Sequence, residues 1–223
     1  MKKIALILFF LVAVAELIAV TFNIALIQTI AKPLIMITLM SYYLISVSER
    51  NIFFVVALVF CWLGDVLLMF QGDEMFFIYG LVAFLSGHVL YVFSYKQMRD
   101  PESVHGLLST QKFRFSFPII LAGTGLVVVL LPHLGELKIP VMIYALVITI
   151  MVLQALFRFG FTSRRSFTLI FVGALFFMIS DSALAINKFM KPLPMASLLI
   201  MVTYMTAQYL IVEGAIAHGA RKD

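Results

Sequence analysis

The chain has 223 residues, 63% of them hydrophobic and 12% charged, with a mean hydropathy of +1.10. Soluble domains carry about 45–50% apolar and about 25% charged residues, so this composition excludes a soluble globular protein and places the chain in a bilayer. The net charge of +5 is scattered along connecting segments, which fits membrane topology rather than nucleic-acid binding.

A membrane-spanning helix takes about 20 residues, so 1–223 is expected to be a single transmembrane domain with no soluble module. The first apolar segment, 4–22, follows Lys2-Lys3 and contains Ala13-Val14-Ala15, a pattern shared with signal peptides. Apolar character resumes at Leu17 and continues to Phe22, as in a full span. Further segments run 28–47, 52–70, 75–95, 113–131, 139–157, 166–186 and 194–216. Turn-like or charged punctuation separates them, as in Ser48-Glu49-Arg50-Asn51, Gln71-Gly72-Asp73-Glu74, Pro132-His133-Leu134-Gly135 and Lys191-Pro192-Leu193-Pro194. The runs are too long and continuous for barrel strands. They predict an all-α polytopic membrane protein with eight transmembrane helices. Tyr42, Tyr43 and Tyr95, near segment ends, read as interfacial-belt aromatics, and Gln154 as interfacial too. The lone Cys61 excludes an intrachain disulfide and a multi-cysteine metal site.

Eight spans put Lys2, Lys3, Arg50, Lys96, Arg99, Lys112, Arg114, Arg158, Arg164, Arg165, Arg221 and Lys222 on the side of the N-terminus. Only Lys138, Lys188 and Lys191 fall opposite, while Lys32 lies within a span. Twelve against three predicts that both termini are cytoplasmic, with the protein in a bacterial inner membrane.

Two aspartates, Asp65 and Asp181, interrupt the third and seventh segments. A charge at the centre of the hydrocarbon costs about 2.5–3.5 kcal/mol on insertion scales and is tolerated where it meets a cavity, a partner or a substrate. Glu16, Lys32, Asp65 and Asp181 all fall within roughly 10 Å of the predicted outer boundary at 1.5 Å per helical residue, which suggests a shared polar chamber. A deeper tier holds His88 and Tyr91, three residues apart, and Tyr204 and Gln208, four apart, each pair on one helix face. Blander roles compete: Lys32 snorkelling, Glu16 pairing with Lys32, and His88 and Gln208 as interhelical hydrogen-bond glue. There is also a faint echo: Gly64-Asp65-x-x-Leu68 matches Ser180-Asp181-x-x-Leu184, and His88 follows Asp65 by 23 residues as Tyr204 follows Asp181.

Lys32-Pro33-Leu34, Gly64-Asp65, the spaced Gly80, Phe84, His88 and Tyr91, and the run Gly173–Asp181 occur in an order that resembles the lysoplasmalogenase (YhhN-like) family. The likeness continues through Ala185-Ile186-Asn187-Lys188-Phe189 and Pro194 to Tyr204, Ala207-Gln208 and Leu210-Ile211, covering nearly the whole chain. The resemblance implies hydrolysis of the vinyl ether bond of a lysoplasmalogen, giving a fatty aldehyde and a glycerophospho-ethanolamine or -choline. It also implies that Asp65 and Asp181 are the catalytic pair, with Glu16, Lys32, His88, Tyr91, Asn187, Lys188, Tyr204 and Gln208 binding substrate or supporting them.

Such chemistry suits two carboxyl groups, one donating a proton and one accepting it. It requires a lysophospholipid from the bilayer and water, with no cofactor; histidines are too sparse for an evident multi-histidine metal site. The competing class is a small proton- or ion-coupled transporter using the same carboxylates.

Overall fold

The computed structural model describes residues 1–70, 74–100 and 106–220. The expected turn at Gln71–Asp73 and the basic pair Arg221 and Lys222 lie outside the described residues. Eight α-helices and no strand occur among those described: α1 (Lys2–Phe22), α2 (Ala25–Ser46), α3 (Ile52–Leu67), α4 (Glu74–Gln97), α5 (Ser109–Leu130), α6 (Lys138–Leu156), α7 (Arg164–Phe189) and α8 (Ala196–Gly219). Two short 3-10 turns, Leu131–His133 and Gly135–Leu137, join α5 to α6. Counting those turns with their neighbours, seven helical stretches among the described residues are long and apolar enough to cross a bilayer. The chain is an integral membrane protein.

The eighth helix, α3, has 16 residues, about 24 Å of rise against a hydrocarbon thickness of about 30 Å. The amide of Leu68 bonds back to Gly64 O, and Met69 and Phe70 bond only three residues back. The segment expected to run to residue 70 thus ends its α-helix at Leu67 and finishes in tight turns. The register changes with it. Asp65 stands in the last turn of α3, whereas Asp181 stands two turns before the end of α7.

The chain divides into two compact units, Met1–Ser94 and the rest of the described chain from Tyr95 onward. In the first, α1 and α2 form a hairpin turned by Asn23, whose left-handed backbone (φ 55) lets its amide cap Ala19 O. The buried stripe of α1 is Ala5, Phe9, Ala13, Glu16 and Ala19 at helical spacing, and its three alanines let α2 approach. Asn51 starts α3 by accepting the Phe54 amide at 3.0 Å. Tyr42 and Tyr43 are buried at 3% and 2%, so they pack in this core and are not belt residues.

In the second unit α7 and α8 make the most extensive helix pair, and α8 is the most enclosed of the candidate spans. Gly173 and Gly214 are the points of closest approach: a methyl on either would strike backbone atoms of the other helix. At one end of this unit Arg158 is fully buried just past the C-terminus of α6. It donates to Ser166 Oγ at 2.8 Å, and Ser166 Oγ in turn donates to Gly214 O at 2.7 Å. Arg99 donates to the Gln154 side chain at 2.6 Å and reaches the Gln154 carbonyl in the last turn of α6. Arg99 therefore sits at the negative end of α6, which offsets part of its burial. Burial still pulls Arg158 down to about 10, with Tyr95 opposing and Arg99 adding to the effect, and burial lowers Arg99 as well. Tyr95, expected in the interfacial belt, is instead buried with its ring beneath Arg158.

Candidate functional site

In the first unit, α3 and α4 pack through glycines. A Cβ on Gly64 would overlap the Phe84 ring, one on Gly87 would lie 3.0 Å from Cys61 Sγ, and one on Gly80 would meet Leu68. This close approach buries the adjacent polar residues, leaving Asp65 3% exposed and His88 0%. One turn beyond His88, Tyr91 is fully buried with its ring 5.6 Å from that of Phe54. The grouping of His88 and Tyr91 on one face of the helix is present, and Tyr91 contributes packing to it.

Glu16 is 1% exposed on α1, with Lys32 of α2 half-buried as the charged group acting on it. Among the described residues the two do not close to an ion pair, and the buried Oε2 of Glu16 has no hydrogen-bond partner. The bland reading in which Glu16 merely pairs with Lys32 is not what the side chains do. Lys32 precedes Pro33, which removes one backbone donor from the middle of α2.

In the second unit Asp181 is half-buried on α7. Its Oδ2 accepts a hydrogen bond from the Tyr144 hydroxyl of α6 at 2.6 Å. The flanking serines are committed to backbone carbonyls, Ser180 to Ile200 O at 3.1 Å and Ser182 to Met178 O at 2.6 Å. Phe177, one turn before Asp181 on the same face, meets the ring of Tyr204 edge-on at 5.5 Å. Gln208 Nε2 donates to the Tyr204 hydroxyl at 3.4 Å, which confirms the shared face of that pair.

Asn187 and Lys188 lie near the C-terminal end of α7. The Asn187 side chain accepts the Leu193 amide at 3.0 Å, pinning the connection between α7 and α8, and Lys188 is exposed in the last turn of α7. Tyr144 escaped the sequence reading. The signal was available: a tyrosine seven residues into a span is too deep for the interfacial belt, and it shares the predicted level of the outer charges. Among the described residues no group of three or more His, Cys, Asp or Glu side chains comes together.

The model of the YhhN family matches residues 27–215. The chain is similar to human lysoplasmalogenase TMEM86B, 34% identical over 163 residues, covering 72% of this chain and 62% of the human protein. It is 33% identical to bovine lysoplasmalogenase TMEM86A over 181 residues, 79% of this chain and 70% of that one. A lysoplasmalogenase of Mycobacterium tuberculosis is 30% identical over 153 residues, covering 68% of this chain and 55% of its own length. The chain thus spans between half and about two thirds of these relatives. No solved structure matches it.

Proposed function

This chain belongs to the YhhN family, and on that premise we propose that it hydrolyses the vinyl ether bond of lysoplasmalogens. The observation that carries the reading is its 30–34% identity to proteins named lysoplasmalogenase from a mammal and a bacterium. Intramembrane carboxyl groups at Asp65 and Asp181 support it, because they supply what the chemistry needs.

A vinyl ether resists nucleophiles until its β-carbon gains a proton. One aspartic acid gives that proton to carbon, leaving an oxocarbenium ion at the α-carbon and a carboxylate behind it. Water adds at the α-carbon while the second carboxylate removes its proton, forming a hemiacetal. The second carboxyl then returns a proton to the glycerol oxygen as the C–O bond breaks. The first carboxylate takes the hemiacetal hydroxyl proton, and the aldehyde leaves. One water is consumed and both aspartates regain their starting states.

Glu16, Lys32, His88, Tyr204 and Gln208 are assigned to head-group and water binding, with Lys32 opposite the lipid phosphate. Tyr91, Asn187 and Lys188 support the helices and connections that carry them. The substrate is a single-chain ether lipid drawn from the bilayer. The membrane arrangement in this proposal is eight crossings, α3 included, with both termini in the cytoplasm of a bacterium.

The test is purified protein in detergent supplied with an alkenyl lysophospholipid. Aldehyde release there, with none from the saturated alkyl analogue, is expected. A transporter would need a sealed vesicle to act and would release no aldehyde in detergent.

A further inference from the structure

We propose that Glu16 and Lys32 form a head-group site on the α1–α2 hairpin that selects a primary ammonium, so that the ethanolamine lysolipid is preferred over the choline one. The inference rests on the lysoplasmalogen reading above and names the head group within it. Glu16 lies outside the matched stretch 27–215, so its role follows from this chain's own packing.

The hairpin sets the level of the two residues. Gln28 Nε2 donates to Ala19 O at 3.1 Å, tying α2 to α1 just beyond the turn at Asn23. Glu16 lies three residues before Ala19, and Lys32 lies four after Gln28. Each therefore stands about one helical turn farther from Asn23, on the face that holds the tie. Ile35, three residues past Lys32, is fully buried, which marks that face of α2 as an inner one. A bond that neither residue makes thus brings both to one depth.

The two charges do not close on each other. Oε2 of Glu16 is buried without a hydrogen-bond partner among the described residues, and Lys32 acts on it through space without forming an ion pair. A buried carboxylate oxygen lacking a donor is costly, and a ligand that supplies one relieves that cost. Lys32 is half-buried, so this level of the hairpin is reached from outside the protein.

A phosphoethanolamine head group is the converse of this arrangement, with an anionic phosphate and a cationic ammonium held apart by a short carbon bridge. The phosphate meets Lys32 and the ammonium meets Glu16. A primary ammonium carries three N–H donors and gives one to Oε2. A trimethylammonium carries none and is held best by aromatic faces. The neighbours of Glu16 along the buried stripe of α1 are Ala13 and Ala19, which offer no such face.

The experiment measures binding of saturated alkyl lysophospholipids, which have no vinyl ether to cleave, to the full chain in detergent. Their head groups are ethanolamine and its N-methyl, N,N-dimethyl and trimethyl (choline) derivatives. The wild type should bind the ethanolamine lipid about ten- to a hundredfold more tightly than the choline lipid, as expected for a charged hydrogen bond. The largest step should come where the last N–H is lost. Glu16→Gln should bring the two lipids within about threefold of each other. Lys32→Gln should weaken both by similar factors and keep their ratio.

Equal binding by the wild type, an even decline across the methyl series, or a preference that survives Glu16→Gln would each overturn the inference. Glycerophosphoethanolamine, which has no chain, should bind more weakly than the lipid; binding as tight would assign the site to a water-soluble ligand and overturn it too. Aldehyde release without head-group preference would remove this inference alone. Preference without aldehyde release would instead remove the hydrolase reading and leave the head-group site standing.

Discussion

A single methyl group at Gly173 provides a quantitative test of how the second unit is packed. A Cβ there would sit 2.8 Å from Ile211 Cγ1, 2.9 Å from Ala207 O and 3.0 Å from Ile211 N. Two of these neighbours are backbone, so no rotamer change relieves them. Reaching an ordinary 3.4 Å contact from 2.9 Å requires α7 and α8 to part by 0.5 Å (3.4 − 2.9). Overpacking of this kind costs about 1–3 kcal/mol. Alanine in place of glycine returns up to about 1 kcal/mol through helix propensity, so the net loss should be about 0–2 kcal/mol. Gly125 is the internal control, because a Cβ there meets nothing within 4 Å. Gly125→Ala should be neutral or stabilising, and the difference between the variants should isolate about 1–3 kcal/mol of overpacking. Unfolding midpoints in detergent measure it. Aldehyde release measured beside the midpoints reports whether the parting of the helices reaches Asp181, two turns along α7. If Gly173→Ala unfolds with the same midpoint as Gly125→Ala and keeps full turnover, the close α7–α8 contact is not as described.

Asn187→Ala should lower stability by about 1 kcal/mol, through the lost bond to Leu193, and leave kcat within about twofold. A large loss of kcat would place Asn187 in the site after all. Arg158→Gln tests the buried guanidinium by its pH dependence. Folding holds Arg158 at about 10, so above that pH the unfolded chain keeps a proton that the folded one has shed. Wild-type stability relative to Arg158→Gln should therefore rise between pH 9 and pH 11. Unfolding midpoints that keep the same separation at both values would contradict the burial. Cysteines introduced as Arg50→Cys, Phe70→Cys and Glu136→Cys report topology, since the native Cys61 is buried. Impermeant thiol reagents should label the second and third in intact cells and the first only after permeabilisation. Labelling of positions 50 and 70 from the same side would show that α3 does not cross.

Apolar run length made the helices legible, because an uninterrupted stretch in a bilayer must satisfy its backbone internally. Helix ends were less legible. The third segment stays apolar to Phe70, but hydropathy does not reveal that the Met69 and Phe70 amides close only three residues back and end the α-helix. The equal spacing of Asp65 and Asp181 from their segment ends does not carry over to the helix ends, since α3 stops at Leu67 and α7 continues to Phe189. Tyr204 and Gln208 were readable as a pair from their spacing alone. Tyr144 was not, because its meaning depends on which α7 residue α6 brings opposite it. Asn187 illustrates the converse: a residue within a family-like run serves a loop amide, a role set by the turn that follows. Arg158 was counted as a loop cation, and only packing shows it enclosed between helix ends.

The most direct measurement is aldehyde release by the purified chain from an alkenyl lysophospholipid, beside Asp65→Asn and Asp181→Asn proteins that remain folded in detergent. Removing a general acid or base lowers rates by about 10²–10⁴-fold, so aldehyde is expected from the wild type alone at comparable enzyme concentrations. Near-normal turnover by either variant, or equal loss of the alkenyl lipid and its saturated analogue, would contradict hydrolysis by paired intramembrane carboxyl groups.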